Sequence, residues 1–413
     1  MKRKTPRNPV RRYQWNHYSH LYQQPSDDLN MILTEEKGPR KVVQFAFSEI
    51  TCGRSIGTGG FSTVSEIVAI DLDDVNDTDE ADTQQRKDLA REVNQTRAYV
   101  LKMLRTDLPV EEHIKGVTDL AIESDFLRTL SHPHIIQMRA MANTDPRESR
   151  FFIVLDRLSG TLDKKFNYWR KLVGEASGTW FPLCGYCCAK APQLHALWKE
   201  RLHVARDTAK AIEYLHANRI VYRDLKPDNL GFTDSVDPQI QLFDFGLAKR
   251  LDGIAQNENG CYLLTGNTGS LRYMAPEVAL DRPYNETVDA YSFGVLFWQI
   301  CSLQTPFAGY NQRMHDEKVV QQGQRPNPHK SWPYSWSSLM EACWATDIAK
   351  RPSFRDIVVH FEEIVQLLEQ EDGIIPSRTS EIKAKKKRKA ILDATLDTDT
   401  RLTGEKRNDA EIV

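Results

Sequence analysis

The chain lacks any apolar run of the roughly eighteen residues that a membrane-spanning helix requires, and its stretch from Phe293 to Cys301 is too short for one. It shows no internal repeat, and its N-terminus has no apolar core of the kind that marks a secretory leader. Its seven cysteines are odd in number and irregularly spaced, which argues against a disulfide framework and for reduced intracellular thiols. Residues 1–26 contain no Asp or Glu, as in a transit peptide, but Pro6 and Pro9 and the scarcity of Ser and Ala contradict an amphipathic transit helix. A net charge of -2 leaves no whole-protein cationic excess for nucleic acid or anionic membrane. A soluble protein of the cytoplasm or nucleus is expected.

What is present divides into arms and a core. With 413 residues, a hydrophobic fraction of 40% and a charged fraction of 27%, the chain can bury a large core and still carry tails. Residues 1–44 are polar and aperiodic, with Lys2, Arg3, Lys4, Arg7, Arg11 and Arg12 preceding Tyr13, Trp15, Tyr18 and Tyr22. Basic residues beside aromatics suit nucleic acid. The simpler reading is a solvated arm that packs back through its aromatics. Residues 369–413 form a polar tail whose run Lys385-Lys386-Lys387-Arg388-Lys389 reads equally as a nuclear-import signal or a solvated segment.

From Phe45 the character changes. Ile50 to Ile56 and Val64 to Ile70 are β-rich and flank Gly57-Thr58-Gly59-Gly60-Phe61-Ser62-Thr63-Val64. Glycines between two strands let backbone N–H groups approach a phosphate chain without side chains intervening. The next stretch, Asp71 to Asp82, holds seven acidic residues and no basic one, which predicts a solvated flexible loop. Ala98 to Leu104 resumes a strand whose one charge, Lys102, requires a carboxylate partner if buried. Glu123 is the choice, beside the apolar stripe of a helix over Glu111 to Leu130; Glu111 and Glu112 read as charges that favour the helix start.

Phe151 to Leu155 reads as a buried strand, Asp156 to Gly160 as a hinge, and Thr161 to Pro192 as an irregular stretch. The Cys184, Cys187 and Cys188 cluster has no second Cys pair to complete a zinc site. Helical periodicity returns over Leu194 to His216, then over Val288 to Ser302, Ser337 to Ala345 and Phe354 to Glu369. Between them lies Tyr222-Arg223-Asp224-Leu225-Lys226-Pro227-Asp228-Asn229, a polar loop framed by Ile220, Val221, Leu225 and Leu230. Fifteen residues after Asn229 come Asp244-Phe245-Gly246, which close a β-type run. A base, a cation and two candidate metal ligands lie close together, a combination suited to phosphoryl transfer.

Taken in order, these segments resemble the eukaryotic protein-kinase family over roughly residues 45 to 368. The glycine segment resembles the glycine-rich loop, Tyr99-Val100-Leu101-Lys102 the strand with the phosphate-binding lysine, and Ala275-Pro276-Glu277 the end of the activation segment. Asp289 and Arg351 match the downstream aspartate and the arginine expected to pair with Glu277.

The resemblance implies an α+β fold of two lobes: a mainly β N-lobe over 45–155, a hinge over 156–160 and a mainly helical C-lobe over 161–368. An acidic insertion over 71–97 and a Cys-containing insertion over 170–192 depart from the pattern. It implies ATP and Mg2+ as cofactors. Asp224 would accept the substrate proton, Lys226 would steady the γ-phosphate, and Lys102 oriented by Glu123 would hold the other phosphates. Asn229 and Asp244 would hold magnesium. Gly57, Thr58, Gly59, Gly60, Phe61, Ser62, Val64, Val100, Asp156 and Leu158 would line the nucleotide site. Lys226 and Gly269-Ser270 resemble serine/threonine kinases, and Leu271 to Glu277 with Cys343-Trp344 and Arg351 to Phe354 look most like the tyrosine-kinase-like group. Arg223 would pair with a phosphate on Thr265 or Thr268 and order the activation segment. Tyr222 stands where a histidine is usual, Ser62 where a glycine is, and Val100 where an alanine is. A pseudokinase scaffold, and a tyrosine or dual-specificity kinase, stay open as alternatives.

Overall fold

The computed structural model describes residues 41–72, 80–96, 98–148, 150–177 and 191–370. Its small lobe is built on one sheet of six strands: β1 (Val43–Phe45), β2 (Ile50–Thr58), β3 (Ser62–Ile70), β4 (Tyr99–Leu104), β5 (Met138–Ala142) and β6 (Phe152–Asp156). The spatial order is β1-β5-β6-β4-β3-β2, with β1 parallel to β5 and every other pair antiparallel. The sheet therefore begins at Val43 rather than at the expected Phe45. Val43 and Phe45 are buried while Gln44 between them faces out, the period-2 signature that two residues are too few to reveal in a sequence.

The acidic insertion corrects the expectation of a flexible loop through Asp82. It enters a helix of 17 residues, α1 (Glu80–Thr96). Of its few apolar residues Ala90 and Val93 are buried and Leu89 is half-buried, and polar clamps supply the rest. The Asn94 carboxamide accepts from the Ile70 amide at 2.8 Å and donates to the Ile70 carbonyl at 3.1 Å. Arg86 pairs with Glu49, which is 3% exposed, and lies 5.4 Å over the Phe45 ring. Tyr99 donates its hydroxyl to Glu92 on α1, whereas Lys102 reaches Glu123 on α2 (Val110–Thr129). Residues an odd number apart on a strand point to opposite faces. The sheet is thus covered by α2 on the cleft side and by α1 on the outer side.

The large lobe contains α3 (Leu162–Ser177), α4 (Ala191–Ala217), α5 (Thr287–Ser302), α6 (Tyr334–Cys343) and α7 (Phe354–Gln370). Helix α3 replaces the first half of the stretch expected to be irregular over 161–192, of which 178–190 lie outside the described residues: Leu162, Phe166 and Trp169 are fully buried at helical spacing, with charges between them. Helix α5 is buried nearly all round. Phe293 and Phe297 on it pack their rings against Phe361 of α7 at 5.8 and 4.9 Å. Short strands complete the lobe: β7 (Leu158–Thr161), β8 (Ile220–Val221), β9 (Leu230–Thr233), β10 (Ile240–Leu242) and β11 (Lys249–Arg250). Asp156 ends β6, the Arg157 amide donates to the Ala98 carbonyl at 2.8 Å and β7 pairs with β9, so the segment read as a hinge over 156–160 is bonded to the small lobe in its first half and to the large lobe in its second. Cys184, Cys187, Cys188 and the basic run at 385–389 lie outside the described residues. No helix among the described residues is long and apolar enough to cross a membrane.

Candidate active site

The polar loop is held as its apolar frame predicts: Ile220, Val221, Leu225 and Leu230 are all fully buried. Asp289 on α5, itself fully buried, accepts the backbone amides of Tyr222 and Arg223, each at 2.8 Å, and faces His216 at 2.8 Å. Those bonds hold the chain through the left-handed turn at Arg223, where φ is 70°. Asp224 is thereby aimed inward, 7% exposed. Ser270 donates to its Oδ1 at 2.8 Å; Lys226 and Asn229 donate to its Oδ2 at 2.7 and 2.9 Å. Lys226 also donates to the Ser270 hydroxyl at 2.9 Å. Ser270 entered the sequence reading only as part of a resemblance, and its contact with the base is not visible before folding. Gly269 explains how the two segments meet. Its φ is 99°, and a Cβ there would lie 2.3 Å from the Arg223 carbonyl.

Tyr222 in place of histidine keeps a packing function. Its hydroxyl donates to the Phe243 carbonyl at 2.6 Å and its ring stands edge-on to Phe245 at 5.5 Å. Burial pushes the phenol well up, so it stays neutral and keeps the proton that it donates to that carbonyl.

Lys102 lies 2.5 Å from Glu123 and 3.2 Å from Asp244, which ties strand, helix and loop together. Burial alone would push the ammonium down; the Asp244 and Glu123 carboxylates outweigh it, and the net shift is upward. Lys102 in turn holds Asp244 below its ordinary value. Burial pushes Glu123 up, opposed by Lys102 and by the Phe245 amide. One further carboxylate was missed. Asp119 sits one helical turn before Glu123, packs against Gly246, and is pushed up to about 7 by burial, with Lys115 opposing and Asp244 reinforcing.

The glycine-rich loop is anchored at its tip. The Arg105 amide donates to the Phe61 carbonyl at 3.0 Å and the Arg105 guanidinium to the Gly60 carbonyl at 3.2 Å. Phe61 seats against Gly116 in the middle of α2, with Lys115 5.2 Å from its ring centroid. A Cβ at Gly116 would lie 2.8 Å from both Phe61 Cβ and Leu104 Cδ2, which accounts for a glycine where helices disfavour one. Gly116→Ala is expected to lower stability by ~1–3 kcal/mol through overpacking and to raise the KM for ATP more than it lowers kcat. A thermal melt and ATP titrations check this; an unchanged KM would refute the coupling.

Of the remaining expected lining residues, Val64 is half-buried opposite Lys102, and Val100, on the same face of β4 as Lys102, is buried opposite Leu155. The Asp156 side chain is committed to Arg139 at 2.7 and 2.9 Å, so only its backbone is left to meet a base. Leu158 packs where a Cβ on Gly231 would come within 2.6 Å, below the hinge. Thr265 is exposed and Thr268 half-buried in the segment that passes Asp224. Glu277 and Arg351 form the expected pair, with contacts of 2.5 and 2.9 Å.

A family model described as protein kinase domain matches residues 88–361, two thirds of the chain. The chain belongs to the protein kinase family. The matched kinase region begins inside α1, so the strands with the glycine-rich loop precede it. The chain is similar to the serine/threonine/tyrosine-protein kinase HT1 of Arabidopsis thaliana, 28% identical over 305 residues, 73% of this chain and 68% of that one. It is also similar to two serine/threonine-protein kinases of the same plant. VIK is 36% identical over 186 residues, 42% of each chain, and STY17 is 33% identical over 165 residues, 40% of this chain and 27% of that one. The chain thus spans less than half of the latter two.

Protein kinases in general use ATP and Mg2+, and the residues present fit both. Added Cβ atoms at Gly57 and Gly59 would meet only loose neighbours, and at Gly60 none within 4 Å, so the loop leaves room for a phosphate chain above its backbone. Asn229 spends its amide hydrogens on Asp224, which leaves its carbonyl oxygen, and Asp244 adds a carboxylate. Two hard oxygen donors, with phosphates and water filling the other positions, suit Mg2+.

Proposed function

We propose that this kinase transfers the γ-phosphate of ATP to serine and threonine hydroxyls of protein substrates, in signalling. The observation that carries this reading is the Ser270 hydroxyl, seated 2.8 Å from Asp224 and 2.9 Å from Lys226. A short aliphatic hydroxyl fits between the base and the cation, with no room required for a phenol ring.

When bound, Mg2+ would neutralise phosphate charge, with Asn229 and Asp244 holding it. The chain's own residues do the positioning. Asp224 orients the attacking hydroxyl and takes its proton, and the orientation is the larger part of its contribution. Lys226 places a positive charge beside that oxygen, where charge develops during transfer. Lys102, kept cationic by Glu123 and Asp244, would hold the other phosphates. Phe61 and the backbone of the glycine-rich loop would cover them and exclude water.

Purified protein with ATP, Mg2+ and a generic protein substrate, followed by phosphoamino-acid analysis, tests the reading. Phosphoserine and phosphothreonine are expected. Phosphotyrosine as the main product would overturn the hydroxyl class, a live comparison because the name of the HT1 relative includes tyrosine. Absence of Mg2+-dependent ATP consumption would favour a scaffolding pseudokinase.

A further inference from the structure

The expectation that Arg223 awaits a phosphate meets a guanidinium already engaged. Its Nε donates to the Leu247 carbonyl at 2.6 Å and its Nη1 donates to the Tyr284 hydroxyl at 3.1 Å. That hydroxyl in turn donates to the Thr265 carbonyl at 2.8 Å, so one phenol links the catalytic loop to the residue expected to carry the phosphate. Tyr284 is fully buried and cannot swing away without opening the lobe. Its backbone exchanges two hydrogen bonds with Tyr262, at 2.8 and 3.0 Å. Tyr262 is also fully buried and accepts from Arg219 and Gln256, each at 2.7 Å. Further along, the Asn267 amide donates to the Val278 carbonyl at 2.8 Å, and Gly266 passes so close to Asp281 that a Cβ would lie 2.2 Å from its carboxylate. Each of these contacts seats the activation segment on the large lobe without a phosphate.

We propose that Tyr284 is a positioning residue that seats the activation segment without a phosphate, so that the unmodified chain already has an assembled catalytic loop. The inference rests on the kinase reading for its consequence, though not for its geometry. Two of the five Arg223 N–H donors are already spent on the Leu247 carbonyl and the Tyr284 hydroxyl, so a phosphate on Thr265 adds to an arrangement that the phenol already holds. Loss of the hydroxyl alone takes one partner from Arg223, which keeps the Leu247 carbonyl, and one from the Thr265 carbonyl, which keeps the Thr268 hydroxyl.

The test compares wild-type protein with Tyr284→Phe, which keeps the ring, both freed of phosphate and verified by intact mass. Hydrogen exchange of residues 256–270 needs no turnover. It is expected to be slow in the wild type and faster in the variant, with α5 and α7 unchanged. Activity of the unmodified wild type is expected within about threefold of the phosphorylated form, and kcat/KM for protein substrate to fall roughly ten- to a hundredfold in the variant, the range for one hydrogen bond to a charged group. Equal exchange in the two proteins overturns the proposal, as does an unmodified wild type more than about tenfold less active than the phosphorylated form. Slow exchange in the wild type, faster exchange in the variant and no turnover in either leave the seat standing and overturn the enzymatic reading instead.

Discussion

Asp224→Asn is expected to lower kcat by about 10²–10⁴-fold while the chain stays folded. The substitution keeps shape and removes charge. The Asp224 Oδ2 position receives Lys226 at 2.7 Å and Asn229 at 2.9 Å, so an amide there must present its oxygen to those donors. Its NH2 then faces Ser270, whose hydroxyl can accept as well as donate. The loop geometry survives, but no group can take the proton from the attacking hydroxyl. Single-turnover phosphotransfer at saturating ATP, beside a thermal melt, checks both halves; turnover at the wild-type rate would remove Asp224 from its role.

Arg351→Ala is expected to produce the largest loss of stability, ~3–5 kcal/mol, because it leaves a buried carboxylate uncompensated. The Arg351 side chain is 0% exposed and its partner Glu277 11%. Arg351 also donates to the Ala345 carbonyl at 3.0 Å and lies 5.3 Å from the Tyr291 ring centroid, so one guanidinium joins the end of the activation segment to α5 and to the loop before α7. A fall in Tm of roughly 5–15 °C follows from that range. The paired variant Arg351→Met/Glu277→Leu is expected to recover part of it, since neither charge is then left alone. An unchanged Tm in Arg351→Ala would show that the pair is solvated rather than buried.

Most of the catalytic constellation was legible because its chemistry is local. Asp224, Lys226 and Asn229 lie within six residues, and Lys102 announces itself as a lone charge in an apolar strand. Glu123 was legible because helical spacing placed it beside a stripe. Asp119, on the same face, carried no such signal, since its meaning comes from Asp244 and Gly246 more than a hundred residues away. Tyr284 reads in sequence as one tyrosine after a proline, and only the fold sets its hydroxyl between Arg223 and Thr265. Helix α1 was hidden for another reason. Its docking relies on Asn94, Arg86 and Glu92 rather than on a broad apolar stripe, and charge density upstream suggested solvent. In α3 the stripe exists, but the charges of Asp163, Lys164, Lys165 and Arg170 beside Leu162, Phe166 and Trp169 mask it.

The clamp that Asn94 places on Ile70 also bears on the order in which the small lobe assembles. Strands β3 and β4 are neighbours in the sheet, and the insertion lengthens the connection between them from a tight turn to more than twenty-five residues. Each doubling of a loop costs only about 0.6 kcal/mol in closure entropy, and here much of that cost is met locally. Asn94 grips the last residue of β3 through both its amide and its carbonyl, five residues before β4 begins. Once α1 forms, the two strand ends are already adjacent, and pairing proceeds as in a short hairpin. The inserted segment therefore adds length to the chain without adding a distant contact to the folding nucleus.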